Sequence, residues 1–228
     1  MVLGNGLMAQ TFKDYRMNAD VTIFASGVSN SLEDNQDAFD FEMAMVKSQS
    51  EKDAKFVYFS TCSIEDPSRH EKEYVNHKLN VEQFIQEHFD RYFIFRLPII
   101  VGKSENPHTL TNFFYNQIVS NNKFKVYRNA CRYLIDVDHV KQIADTILAT
   151  DKFLNQIISV SLDNRVRVQD LVEIFETVLS KKANCDLVDS GVCYSLNGHI
   201  PHDLIREAGI ELTENYNLEL IQKYYGSH

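Results

Sequence analysis

The chain has 228 residues, 44% of them hydrophobic, and a formal net charge of −9 from 23 Lys and Arg against 32 Asp and Glu. A chain of this length buries a sizeable core without metal or crosslinks. No segment reaches the roughly eighteen apolar residues of a membrane span, residues 1–12 lack the basic start and apolar stretch of a secretory signal, and the acidic balance argues against a nucleic-acid partner.

Val2–Leu3 read as the end of an apolar strand, and the turn Gly4-Asn5-Gly6 leads into a helix over 7–17. DVTIFA, 20–25, is apolar at nearly every position, as a strand buried on both faces should be. A helix over 36–49 carries Phe39, Met43 and Val46 on one stripe. KFVYFS, 55–60, is a third buried strand, the helix over 71–88 carries Tyr74 and Lys78, and YFIFRL, 92–97, is a fourth strand closed by Pro98. Then come a helix over 109–120, strands near 124–127 and 133–136, a helix over 138–149, a returning strand at 156–161 and a helix over 168–180. Short helices near 201–208 and 217–225 end the chain. Strands alternating with helices imply a parallel sheet with right-handed crossovers. Ligands of such sheets bind at the carboxyl ends of the strands. That rule gathers Gly4–Gly6, Ala25–Gly27, Ser60–Ser63 and Pro98–Gly102 on one rim.

Three motifs lie on that rim or feed it. Gly4-Asn5-Gly6-Leu7-Met8-Ala9 is a GxGxxA turn. Its first glycine permits the sharp turn, its second lets a pyrophosphate approach the backbone, and the helix N-terminus faces the anion. Many ordinary strand–helix turns match the same pattern. Tyr74-Val75-Asn76-His77-Lys78 is a YxxxK, which puts the phenol and the ammonium on one helix face. A free tyrosine titrates near about 10, and a neighbouring ammonium favours the phenolate. Read blandly, the pair is a surface Tyr and Lys, and His77 beside it faces elsewhere on the helix. Ser60-Thr61-Cys62-Ser63 places hydroxyls directly after a strand, where they can polarise a substrate oxygen or merely cap a turn.

These motifs, in this order, resemble the extended short-chain dehydrogenase/reductases, the NAD-dependent epimerase/dehydratase family that acts on nucleotide sugars. VYFSTCSIED is similar to the family's STDEVYG-type segment, and FRLPIIVGK resembles the RLPNVFGK stretch of capsular-polysaccharide UDP-sugar reductases. RYLIDVDHV resembles RDFIYVDDV, whose arginine contacts nucleotide-sugar phosphates. The resemblance implies Thr61, Tyr74 and Lys78 as catalytic residues. It implies NAD or NADP held by Gly4, Asn5, Gly6, Leu7, Met8, Ala25, Ser26, Gly27, Ser60, Lys78 and Pro98. It implies a nucleotide-sugar substrate met by Thr109, Asn112 and Arg132, with no metal. Two strands and the adenosine-reading acid that the family carries between the glycine turn and DVTIFA are missing.

The expected fold is therefore α/β, a reduced Rossmann-like parallel sheet flanked by helices with a smaller mixed C-terminal substrate lobe. The cofactor core is expected over 1–105 with the strand near 156–161, and the substrate lobe mainly over 106–228. The expected function is NAD(P)-dependent epimerisation, reduction or dehydration of a nucleotide-activated sugar, in surface polysaccharide biosynthesis. The alternative is a degenerate, non-catalytic member acting as a nucleotide-binding or regulatory module. A cytoplasmic location is expected, without membrane or nucleic-acid partners and with a homodimer left open. The four cysteines, Cys62, Cys131, Cys185 and Cys193, form no CxxC pair and are expected to be free thiols, Cys62 as a packing residue. Asp136, Asp138 and His139 are expected to cap a helix rather than bind metal.

Overall fold

The computed structural model describes residues 1–226. Its first half alternates β1 (Val2–Leu3), α1 (Leu7–Thr11), β2 (Val21–Phe24), α2 (Gln36–Lys47), β3 (Lys55–Thr61), α3 (Glu73–His88) and β4 (Tyr92–Leu97). There follow β5 (Ile99–Val101), α4 (Leu110–Val119), β6 (Phe124–Tyr127), β7 (Cys131–Arg132), β8 (Leu134–Asp136), α5 (Val137–Thr150) and β9 (Gln156–Ser159). The chain ends with β10 (Val166–Arg167), α6 (Val168–Leu179), β11 (Cys185–Val188), α7 (His202–Glu207) and α8 (Tyr216–Tyr225).

Five parallel strands form the main sheet in the order β1-β2-β3-β4-β9. All four residues of β2 are buried, which accounts for its unbroken apolar run. Side chains alternate between two apolar layers. Ile23, Val57, Phe93 and Phe95 pack with Ile143 and Ile147 of α5 on one face. Phe24, Phe56, Tyr58 and Ile94 pack with Val46 of α2 and with Val81 and Ile85 of α3 on the other. Helices therefore cover both faces, as parallel crossovers require. The second half adds three two-stranded pairs, β5 with β8, β7 with β10 and β6 with β11. β1 is an edge strand that pairs only with β2, so no strands stand between the glycine turn and β2 in the sheet.

Three expectations need correction. The helix expected over 7–17 is α-helical only to Thr11, and Lys13–Met17 winds more tightly as a 3-10 turn. The change falls at Phe12, fully buried with its ring 5.3 Å from that of Phe59. β5, β10 and β11 were not expected, because strands of two to four residues leave little periodicity to read. Cys131 and Cys193 form a disulfide with Cα atoms 4.6 Å apart across 62 residues, and only Cys62 and Cys185 are free. Sequence spacing carries no information on such a pairing. The two free thiols do agree with expectation, and burial pushes that of Cys62 up to about 12, as suits a packing residue.

The crosslink anchors a stretch that lacks regular structure. Residues 189–198 form no helix or strand, and their main-chain bonds to the rest of the fold include Asn129 N–H to the Ser190 carbonyl at 3.1 Å. Closing a loop of 62 residues restricts the unfolded chain by about 4 kcal/mol in the chain-entropy treatment. Reduction with dithiothreitol, or Cys193→Ser, is expected to cost about 2–4 kcal/mol of stability. Urea unfolding followed by circular dichroism, with and without reductant, measures it, and the Cys193→Ser protein should be indifferent to reductant.

Candidate active site

The carboxyl end of β1 turns at Gly4 and meets that of β2. Gly4 has φ +119°, and a Cβ there would lie 2.3 Å from the Ala25 carbonyl oxygen, so glycine alone permits the approach. Gly6 precedes α1 and has nothing within 4 Å of where a Cβ would stand, which leaves open space beside the start of the helix. The Asn5 carbonyl accepts from Gln10 at 3.4 Å, and Leu7 packs over Gly102. Met8 is half-buried against the core, as is Ala25, while Ser26 Oγ stands 3.8 Å from the Met45 sulfur. Pro98 is half-buried between β4 and β5.

Beneath Ala25–Gly27 lies a buried polar junction centred on Glu42 of α2, 1% exposed. Its Oε1 accepts from the Tyr58 hydroxyl at 2.6 Å and from Lys78 Nζ at 2.9 Å. Its Oε2 accepts from Val28 N–H at 2.7 Å and stands 3.0 Å from His77 Nε2. Lys78 Nζ also donates to Tyr58 at 3.0 Å. Burial alone would raise the Glu42 carboxyl, but the Lys78 charge and the bonds from His77, Tyr58 and Lys78 outweigh it and hold it well below the usual range. Burial, then Glu42, pushes the Tyr58 phenol far up. Contrary to expectation, His77 does not face away from the pair: it shares the Glu42 carboxylate with Lys78. Its ring stacks on Phe39 with centroids 4.6 Å apart, and a carboxylate placed between adjacent helix positions receives both His77 and Lys78.

Tyr74 lies one turn before Lys78 on α3, buried among Phe39, Val75, Val28 and Ile64, with the Lys78 ammonium 5.8 Å from its ring centroid. Thr61 ends β3, and its Oγ1 accepts from Ser63 N–H at 3.0 Å. Ser60 Oγ donates to Glu82 at 2.5 Å, and the same carboxylate receives Arg96 at 3.0 and 2.6 Å. Ser60 is thus tied to a second buried ion pair on α3.

The three residues expected to meet substrate are separated by role. Thr109 caps α4 by accepting from Asn112 N–H at 3.3 Å. Asn112 donates to the Ser104 and Asn106 carbonyls at 2.9 and 2.7 Å and accepts from Tyr225 at 2.6 Å, so both of its amide hydrogens are committed within the protein. Arg132 stands where two clefts meet and makes no ion pair among the described residues; its recorded bond is to the Cys131 carbonyl at 2.6 Å. Burial, then the nearby Arg69, lower its guanidinium from the ordinary arginine value. The larger cleft, about 530 Å³, is walled by Phe113, Phe124, Tyr127, Lys123 and Lys125. The smaller, about 220 Å³, adds Arg69, Lys72, Ser68 and Ser190–Val192. Asp136 caps α5 and bonds Lys223 and Tyr224, and no cluster of metal-binding side chains occurs among the described residues.

No family model matches the sequence, and no curated protein matches it. Solved structures do match over nearly the whole chain. RMD from Pseudomonas aeruginosa, complexed with NADPH, aligns with TM-score 0.72 at 13% identity, covering 97% of this chain and 96% of that one. A UDP-N-acetylglucosamine 4-epimerase from Methanobrevibacter ruminantium, in complex with UDP-N-acetylmuramic acid, aligns with TM-score 0.68 at 18% identity, covering 98% and 81%. A dTDP-glucose 4,6-dehydratase from Bacillus anthracis, with NAD, aligns with TM-score 0.68 at 14% identity, covering 96% and 76%. The chain has the fold of nucleotide-sugar epimerases and dehydratases. In this fold the glycine turn meets the β2 end at Ala25, and the turn after β2 meets α3 at Lys78.

Sequence reasoning missed Glu42, Tyr58, Arg69 and Lys72. Glu42 did carry a signal, because it falls within the Phe39, Met43, Val46 stripe at helical spacing, where a carboxylate needs a buried partner. Breaking the junction should be costly. Glu42→Ala strands the Lys78 charge and is expected to lose about 3–5 kcal/mol. A depressed carboxyl stabilises the fold fully above its unfolded value of about 4.3, and the contribution is lost as pH falls through the folded value. Urea unfolding at pH 7 and pH 3 should therefore show the gap between the wild type and Glu42→Ala narrowing in acid.

Proposed function

We propose that the protein is an NAD(P)-dependent enzyme acting on a nucleotide-activated sugar by epimerisation, reduction or dehydration. The observation that carries the reading is the pairing of Tyr74 and Lys78 one helical turn apart on α3, with Lys78 against the turn after β2 whose start also meets Gly4, in a fold shared with nucleotide-sugar epimerases and dehydratases over 96–98% of the chain. The residues present fit a dinucleotide at the phosphate end, where Gly4 clears the turn and Gly6 leaves space at the start of α1. NAD(P), when bound, exchanges hydride with the sugar. Tyr74 moves the proton on the reacting sugar oxygen, Thr61 hydrogen-bonds that oxygen, and Lys78 orients the cofactor ribose.

The substrate's diphosphate is assigned to Arg132 with Arg69 and Lys72, three cations around one small cleft in a protein of net charge −9. The planar guanidinium of Arg132, unpaired in its half-buried position, suits two phosphate oxygens at once. The aromatic walls of the adjoining cleft, Phe113, Phe124 and Tyr127, offer faces for a nucleobase. Thr109 and Asn112 shape the start of α4 beside Leu110 of that cleft. A place in surface polysaccharide biosynthesis and a cytoplasmic location go with this reading. No described helix is long and apolar enough to cross a membrane. In a cytoplasm, Cys131–Cys193 would stand against a reducing thiol pool.

A second reading, a non-catalytic nucleotide-binding module, draws support from Lys78, which is 2% exposed and already paired with Glu42. Tyr74→Phe separates the two. An enzyme should lose about 10²–10⁴-fold in turnover with its circular dichroism spectrum intact, whereas a module should keep its ligand affinity and have no turnover to lose. Arg132→Ala is expected to weaken UDP binding by about 10–100-fold in isothermal titration while leaving NADH binding unchanged.

A further inference from the structure

Lys78 presents a contradiction that the fold itself resolves. An ammonium that orients a cofactor must reach the crevice, yet this one is 2% exposed and bonded to Glu42 and Tyr58 at 2.9 and 3.0 Å. The turn after β2 lies directly over it. A Cβ on Gly27 would come within 3.0 Å of Lys78 Nζ and 2.8 Å of Glu42 Oε1. The next residue, Val28, donates its N–H to the same carboxylate at 2.7 Å.

Glu42 therefore joins four parts of the fold through one carboxylate: α2, the β2 turn, β3 through Tyr58, and α3 through His77 and Lys78. Its two oxygens are filled by those four groups. Of the three ammonium hydrogens on Lys78, two are committed, and one remains for a ligand. Charge balance points the same way. A carboxylate 2.9 Å from the ammonium cancels most of the attraction the lysine would offer an approaching anion or hydroxyl oxygen.

We propose that Glu42 is a positioning residue that holds Lys78 beneath the Gly27–Val28 turn and so sets how strongly this site binds a nicotinamide dinucleotide. The inference rests on the assignment of Lys78 to the cofactor. Glu42 touches neither cofactor nor substrate and acts through Lys78. Glu42→Gln keeps the size of the side chain, removes its charge and gives up the acceptor for either the Val28 N–H or Lys78 Nζ, which loosens the hold on the ammonium and frees it for the dinucleotide.

The test is NADH fluorescence titration of the intact protein, with Lys78 acetylation by acetic anhydride followed by peptide mass spectrometry. Glu42→Gln is expected to bind NADH on the order of tenfold more tightly than wild type. Its Lys78 should acetylate faster. The tighter binding must vanish in the double variant Glu42→Gln/Lys78→Met, compared with Lys78→Met alone. That comparison separates an effect through Lys78 from the loss of a negative charge near an anionic ligand. Tyr58→Phe, which loosens the same junction and retains the carboxylate, should shift both readouts in the same direction by a smaller factor, and it serves if Glu42→Gln does not fold. Equal NADH affinity and equal acetylation across wild type, Glu42→Gln and Tyr58→Phe would overturn the role of Glu42 and leave the cofactor assignment standing. No NADH binding by any of these proteins would overturn both.

Discussion

One carboxylate, that of Glu42, is shared by two helices, a strand and a turn. The layer between the sheet and the α2–α3 pair is mainly apolar, built from Phe24, Phe56, Val46, Val81 and Ile85. A carboxylate and an ammonium enter such a layer only if each satisfies the other and every remaining lone pair finds a donor. Tyr58, His77 and the Val28 amide meet that condition. The geometry around Tyr74 follows from it, since α3 can take no other rotation or height without stranding a buried charge. Ser60, Glu82 and Arg96 repeat the device one turn further along α3. Two buried ion pairs thus fix the helix that carries the candidate catalytic tyrosine, while the apolar contacts supply most of its adhesion.

The two halves of the crevice differ in how they are built. On one side, the Ala25 carbonyl at the β2 end excludes any side chain from Gly4, and Gly27 in the turn after β2 lies against Lys78 of α3. On the far side, β1 is the sheet edge. The two clefts that meet at Arg132 have a third character. They are lined by α4, by short paired strands and by a stretch without regular structure that the disulfide tethers.

Much of the fold was legible because burial on both faces writes itself as unbroken apolar runs. β2 and β4 were found within a residue or two of their observed ends, and the α2 stripe named Met43 and Val46, which pack toward the sheet, and Phe39, which packs on α3. The site was legible where a motif depends on local geometry, as in Gly4 at positive φ or Tyr74 and Lys78 on one helix face. What remained hidden depends on partners distant in sequence. Lys78 and Glu42 are 36 residues apart, and Cys131 and Cys193 are 62 apart. Neither spacing has a local signature. His77 was misplaced because helical angles place a side chain's origin and not its reach. The second half of the chain was the least legible part, because strands as short as β7 and β10 are held by their neighbours rather than by their own sequence.

The disulfide also alters what a broken chain would look like. The segment around Ser190 to Leu196 is largely exposed and without helix or strand, the kind of stretch that proteases enter. A single cut there before Cys193 would produce two pieces, one carrying the main sheet and Arg132, the other carrying Cys193 and α8. The Cys131–Cys193 bond would keep them joined. α8, packed on α6 and bonded through Tyr225 to Asn112, would have every reason to stay in place. A nicked molecule would thus pass for an intact one by size and spectrum until a reductant separated its fragments.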